Sequence, residues 1–186
     1  MVPFFVGFLL AGQLPHPMLA AFVLFAAAAY TAHLDGKLAR RDHLITTFGK
    51  FMDPLADKIL VISALVCFVD LGLANTWLVI LIIFREFLVT SIRLVAADSG
   101  VVVAANNWGK AKTVSQIAAI LAVLLLQYVL ELVSLGVLPP FTVGGAEASA
   151  GFLAIGNVLL AVAALLAVIS GAVYLKQNWK IVAREM

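Results

Sequence analysis

At 186 residues, with 64% hydrophobic residues, 12% charged residues and a mean hydropathy of +1.12, the chain lies outside the range of soluble globular domains and reads as an integral membrane protein. A formal net charge of +2 is too small for a nucleic-acid-binding chain, and its basic residues gather on one membrane side, where anionic lipid or a phosphorylated substrate is the natural partner. The single cysteine, Cys67, excludes an internal disulfide and a multi-cysteine metal centre.

A helix needs about 20 apolar residues to cross the hydrocarbon core, and the chain offers five such runs, at residues 18–38, 51–71, 76–97, 113–135 and 151–175. The opening run, residues 2–14, is shorter than a full span. It has no basic segment before it and no small-residue cleavage site after it, so it reads as a sixth, short helix rather than a signal peptide. The turn Gln13-Leu14-Pro15-His16-Pro17 ends it. Residues 98–112 and 136–150 read as loops, no internal repeat interrupts the pattern, and residues 1–186 are expected to form one domain, an all-α six-helix membrane bundle.

Charge orients that bundle. Lys37, Arg40, Arg41, Lys50 and Lys58 flank the connection between the second and third helices; Arg93, Lys110 and Lys112 flank that between the fourth and fifth; Lys176, Lys180 and Arg184 follow the last. The turns at 12–17, 70–76 and 136–150 hold no Lys or Arg, so both termini are expected in the cytoplasm. Trp77, Trp108 and Trp179 fall near predicted helix ends, where indoles favour the interface.

Carboxylates beside apolar spans are costly and usually serve chemistry. Asp53 and Asp57, four residues apart, share a helix face. Asp35 ends the preceding helix, and an antiparallel return would bring it alongside. Such a set, without His or Cys, suits a hard cation such as Mg²⁺ or Mn²⁺ bound together with substrate phosphates, the plain alternative being solvated helix-end charges.

A second polar group begins at Arg85-Glu86 inside the fourth helix, where a structural Arg–Glu pair explains the residues as well as function does. Arg93 lies two turns on. Gly109-Lys110-Ala111-Lys112-Thr113 then adds two ammonium groups and an expected helix start, so Arg93, Lys110 and Lys112, with Arg85 the weaker candidate, form a plausible phosphate pocket. Ala111 stands where a P-loop needs Ser or Thr after its Lys, which argues against nucleoside triphosphate hydrolysis.

The stretch from Ala32 to Asp57 resembles the CDP-alcohol phosphotransferase signature Asp-x2-Asp-Gly-x2-Ala-Arg-x8-Gly-x3-Asp-x3-Asp. Asp35, Gly36, Ala39, Arg40, Gly49, Asp53 and Asp57 match in spacing, and Ala32 stands where the first Asp belongs. Within that family the chain is similar to the phosphatidylglycerophosphate synthases, through Arg85-Glu86-Phe87-Leu88-Val89-Thr90-Ser91-Ile92-Arg93 and residues 109–113, over residues 3–179. The usual amphipathic N-terminal segment with Pro-Asn and Arg does not precede Val2-Pro3.

The resemblance implies a six-helix homodimer in the plasma membrane, its site facing the cytoplasm. It implies transfer of the phosphatidyl group from CDP-diacylglycerol to sn-glycerol 3-phosphate with release of CMP, in phospholipid biosynthesis. By the same likeness, two ions of Mg²⁺ or Mn²⁺ sit on Asp35, Asp53 and Asp57, and Ala32 withholds one expected ligand. Thr31, Asp35, Gly36, Arg40 and Thr46 contact CDP-diacylglycerol, and Asp57 takes the acceptor hydroxyl's proton. Alternatives are a synthase of the phosphatidylinositol phosphate or cardiolipin type, a non-catalytic relative, or a small transporter, which would show broken helices and repeat symmetry at mid-membrane.

Overall fold

The computed structural model describes residues 2–10, 16–41, 47–98 and 107–182. Side chains within residues 35–41 and 47–57, and those of His33, Val95, Ala97, Asp98 and the helix end at 180–182, fall outside that description. Six helices follow in chain order: α1 (Val2–Leu10), α2 (Pro17–Arg41), α3 (Thr47–Asp70), α4 (Thr76–Asp98), α5 (Asn107–Ser134) and α6 (Ala148–Val182).

Local chemistry sets several of these ends. Pro17 opens α2 at the first helical position, where its missing N–H is no loss. The next amide, Met18 N, donates to Glu131 Oε2 from the end of α5 at 3.2 Å, so a carboxylate from another helix satisfies an amide at a positive helix terminus. Asn75 caps α4 by accepting from Trp77 N at 2.9 Å, and its own amide donates to Asn157 Oδ1 of α6 at 2.8 Å. Between α5 and α6 the expected loop carries a two-residue hairpin, β1 (Thr142–Val143) and β2 (Ala146–Glu147). Gly144 and Gly145, with φ of 61° and 84°, supply the two left-handed residues that such a tight turn demands.

α6 packs against both α4 and α5; α2 packs against α1, α3 and α5, and α3 against α4. The helix contacts are made by small residues: Ala21, Ala64, Ala163 and Ala167 are fully buried, which lets helix backbones approach where apolar driving force is weak. Phe5, Phe25, Leu65, Phe68, Ile82, Ile120, Leu124 and Leu160 fill the space between them. Large apolar side chains such as Phe84, Phe87, Leu165 and Trp77 point outward, as expected where the surroundings are lipid.

α5 (28 residues, ending at Ser134) and α6 over Ala148–Trp179 are long and apolar enough to cross a bilayer, and Pro17–Ala32 is a shorter apolar helix. α4 is long enough, at roughly 34 Å, but carries Arg85, Glu86 and Arg93.

Several helices run past the apolar segments expected from sequence: α2 ends at Arg41 rather than 38 and α3 begins at Thr47 rather than 51, and the largest differences lie in α5 and α6. α5 begins at Asn107 rather than 113, and α6 runs to Val182 rather than 175. Apolar runs mark where lipid contact begins, whereas a helix continues through polar turns that contain no breaker. Lys110 and Lys112 are therefore helical residues, not a loop before a helix start.

Candidate functional site

The buried stripe of α6 is read from its small and polar residues. Gly156, Leu160, Ala163, Ala167, Ser170 and Tyr174 recur at alternating spacings of four and three, the period of one helix face. The stripe is apolar as far as Ala167, then turns polar with Ser170, Tyr174 and Asn178. α5 shows the mirror pattern: Lys112 and Gln116 are buried first, then Ala119, Ile120 and Val123. In α4, Val79 and Ile82 precede the buried Arg85 and Glu86. Three helices thus turn polar inside at the same end of the bundle.

Glu86 is the hub. Its Oε1 accepts from the Lys112 ammonium and, at 3.2 Å, from Arg85 Nη1, all three side chains being buried. Arg85 Nη2 donates to Ser170 Oγ at 2.7 Å, so the guanidinium bridges α4 to α6. Gly171 packs close beneath it, since a Cβ at that position would come 3.1 Å from Arg85 Cγ. The backbone oxygen of Glu86 accepts from Thr90 Oγ1 at 2.6 Å, and Thr90 in turn accepts from the Lys58 ammonium of α3.

Lys58 follows Asp57 directly in sequence, so this contact brings the middle of α3 beside the α4 cations. Arg85, Glu86 and Arg93 all lie close enough to Lys58 to act on its charge. Among the described side chains, Arg85 and Lys112 contact the Glu86 carboxylate, Lys58 reaches the Glu86 backbone oxygen through Thr90, and Arg93 stands further along α4 on Tyr174. Arg85 Nε and Gln116 Nε2 are buried donors with no hydrogen-bond partner among the described residues, a costly arrangement that a polar ligand or water relieves.

Arg93 is exposed but held. Its Nε donates to Tyr174 OH at 2.8 Å and its guanidinium carbon stands 5.3 Å from the centre of the same ring. Tyr174 is itself buried with Val89 and Ile92.

The structure therefore brings Arg85, Arg93 and Lys112 to one end of α4 and its neighbours. Lys110, two residues from Lys112 and hence on another side of α5, is exposed. Thr31 is exposed and its hydroxyl donates to the Ala27 and Ala28 carbonyls within its own helix, at 2.9 and 3.0 Å. Ala32 is half-buried on the same turn. Asp35, Gly36 and Arg40 fall on the last two turns of α2 and Asp53 and Asp57 on the early turns of α3, two helices that pack together; their side chains, and Thr46 entirely, lie outside the described residues. The early turns of α3 and the last turns of α2 fit a divalent cation in donor chemistry, being rich in carboxylate and lacking thiols.

Sequence reasoning missed Lys58, Thr90, Gln116, Ser170 and Tyr174. For α6 a signal was available: Ser170, Tyr174 and Asn178, each four residues apart in an otherwise apolar helix, mark one polar stripe.

This arrangement, a cluster of cations on helices packed beside a carboxylate-rich pair in an apolar bundle, accords with the sequence comparisons. The CDP-alcohol phosphatidyltransferase family profile matches residues 1–176, and the chain belongs to that family of membrane enzymes, which generally depend on divalent metal ions. The chain is 44% identical over 182 residues to the CDP-diacylglycerol–glycerol-3-phosphate 3-phosphatidyltransferase of Bacillus subtilis, covering 97% of this chain and 85% of that protein. It is 34% identical over 166 residues to the Treponema pallidum protein of the same name, covering 89% and 73%. To the chloroplastic/mitochondrial enzyme 1 of Arabidopsis thaliana it is 35% identical over 176 residues, covering 87% of this chain and 53% of that protein.

Proposed function

We propose that residues 1–186 form one membrane domain that transfers the phosphatidyl group from CDP-diacylglycerol to sn-glycerol 3-phosphate. The reading is carried by Arg85 and Lys112 on Glu86, with Lys58 bonded to Thr90 one turn on and Arg93 held by Tyr174, four cations to one carboxylate among these described side chains, which suits a doubly charged phosphate. The names of the relatives supply the two substrates.

In the reaction, the acceptor's hydroxyl oxygen attacks the phosphorus that bears the diacylglycerol. The bond from that phosphorus to the CMP oxygen breaks, and Asp57 takes the hydroxyl proton. Asp35, Asp53 and Asp57 would hold Mg²⁺ or Mn²⁺, whose chemistry when bound is to neutralise the diphosphate and the charge growing on CMP. Gly36, Arg40, Thr46 and Thr31 belong in this reading to the CDP side, and Arg93, Lys112, Lys110 and Arg85 to the acceptor phosphate. Lys58, adjacent to Asp57, joins the two sides.

Ala32 supplies a methyl group where a metal-binding carboxylate belongs, which favours a chain that binds substrates better than it turns them over. The decisive experiment is CMP release from CDP-diacylglycerol with a panel of acceptors, on this chain and on Ala32→Asp. Release with glycerol 3-phosphate alone among inositol phosphate, phosphatidylglycerol and glycerol 3-phosphate supports the reading; release with another acceptor reassigns the pocket.

The lack of Lys and Arg in three turns supports a plasma-membrane orientation with both termini and the site in the cytoplasm, and the family likeness supports a homodimer. A cysteine at Gly145, in the hairpin, is expected to react with an impermeant thiol reagent from outside the cell, and one at Asn107 only from inside. The reverse pattern would overturn the orientation.

A further inference from the structure

We propose that Tyr174 is a positioning residue for the acceptor's phosphate, acting through Arg93. This rests on the acceptor-pocket reading above. Arg93 is the exposed cation of the cluster, and an exposed arginine ordinarily samples many rotamers, each costing entropy to fix when a ligand binds. Here one side chain from another helix fixes it twice: the Tyr174 hydroxyl accepts from Nε at 2.8 Å, and the ring lies beneath the guanidinium at 5.3 Å. Using Nε for this contact orients the guanidinium plane and leaves both terminal amino groups unpartnered among the described residues, a fork of the kind a phosphate takes.

Tyr174 can serve as an anchor because it is immobile. It is 2% exposed, packs against Val89 and Ile92 of α4, and its backbone oxygen accepts from Asn178 Nδ2 at 2.8 Å. The same α6 stripe carries Ser170, which holds Arg85, so one helix face aligns both arginines of α4. A tyrosine that only filled the core would leave its hydroxyl to water or to a neighbouring backbone; this one spends it on the cation.

The test is a ³¹P NMR titration of sn-glycerol 3-phosphate into the detergent-solubilised full chain, with inorganic phosphate as a second probe and CDP-diacylglycerol as control. Steady-state kinetics in the Ala32→Asp background run alongside. Tyr174→Phe, which keeps the ring and loses the hydroxyl, is expected to weaken glycerol 3-phosphate about fivefold, and Tyr174→Leu, which loses both contacts, about twentyfold. In both variants CDP-diacylglycerol affinity stays within about twofold, and in the restored enzyme KM for glycerol 3-phosphate rises while kcat holds.

Arg93→Ala separates the two layers of the argument. If it binds glycerol 3-phosphate as the parent does, the acceptor assignment itself fails. If it weakens binding while both Tyr174 variants bind like the parent, the positioning role fails and the acceptor reading stands. Equal loss of both substrates with a lowered melting temperature would make Tyr174 a structural residue and overturn the proposal.

Discussion

Lys112 and Arg85 sit inside the bundle on Glu86, whereas Arg93 stands exposed against the ring and hydroxyl of Tyr174, so one end of the molecule holds the same charge under two constraints. Inside, Glu86 offsets the charge shared by Arg85 and Lys112, its contact with Lys112 ties α4 to α5, and the Arg85–Ser170 bond ties α4 to α6. At the rim, water screens the charge and an aromatic residue supplies direction instead of compensation. Burial thus divides the basic residues into those tied into the bundle by Glu86 and Ser170 and the one that faces outward on Tyr174.

That division is tested most severely at Glu86. Glu86→Ala strands Lys112 and Arg85 as uncompensated buried charges and is expected to cost about 3–5 kcal/mol of stability, read as a lowered melting temperature in detergent with both substrates lost together. A stable Glu86→Ala protein would mean that water or lipid headgroups already reach the cluster, and the distinction between inside and rim would collapse.

The catalytic side sets the next largest effect. Restoring Ala32→Asp is expected to raise CMP release at least about a hundredfold, corresponding to roughly 2.7 kcal/mol of barrier, while CDP-diacylglycerol affinity changes less. Full activity in the chain as it stands would remove the metal role from position 32. A restored chain that folds and binds CDP-diacylglycerol but stays inactive with every acceptor would show that position 32 is not what limits turnover.

In that restored background, Lys112→Ala probes whether an inner cation also serves the ligand. It is expected to raise KM for glycerol 3-phosphate about tenfold with the KM for CDP-diacylglycerol within about twofold. A collapse of CDP-diacylglycerol affinity alone would show that the two substrates belong to opposite basic groups. Lys110→Ala should do least, changing KM for glycerol 3-phosphate by less than about twofold, because Lys110 is exposed on a different side of α5 and a screened surface charge contributes little. A larger effect would bring Lys110 back into the pocket.

The membrane class and the helical architecture were legible in the residues themselves. Apolar runs of the required length and the absence of breakers within them predict helices, and α2, α4 and the body of α6 lie where those runs are. The family was legible too, because Asp35, Gly36, Ala39, Arg40, Gly49, Asp53 and Asp57 hold a spacing that chance does not reproduce. Helix ends were less so: α5 continues through a polar first turn that an apolar pattern leaves out, and Lys112 turned out to be a buried helical residue instead of a loop cation.

Pairing was beyond the sequence altogether. Arg85 and Glu86 are neighbours in the chain, but that Glu86 shares its oxygen with Lys112, 26 positions away, and that Arg93 rests on Tyr174, 81 positions away, follows only from how α4, α5 and α6 pack. The physical reason lies in the period of the helix and the nature of the solvent. Hydropathy depends on each residue alone and so marks α5 and α6 as apolar enough to cross a bilayer. In α6, apolar nearly all round, only the Ser170, Tyr174 and Asn178 stripe hints at a face, and the partner each polar group meets is decided once the helices have come together, as where Gly171 packs close to Arg85.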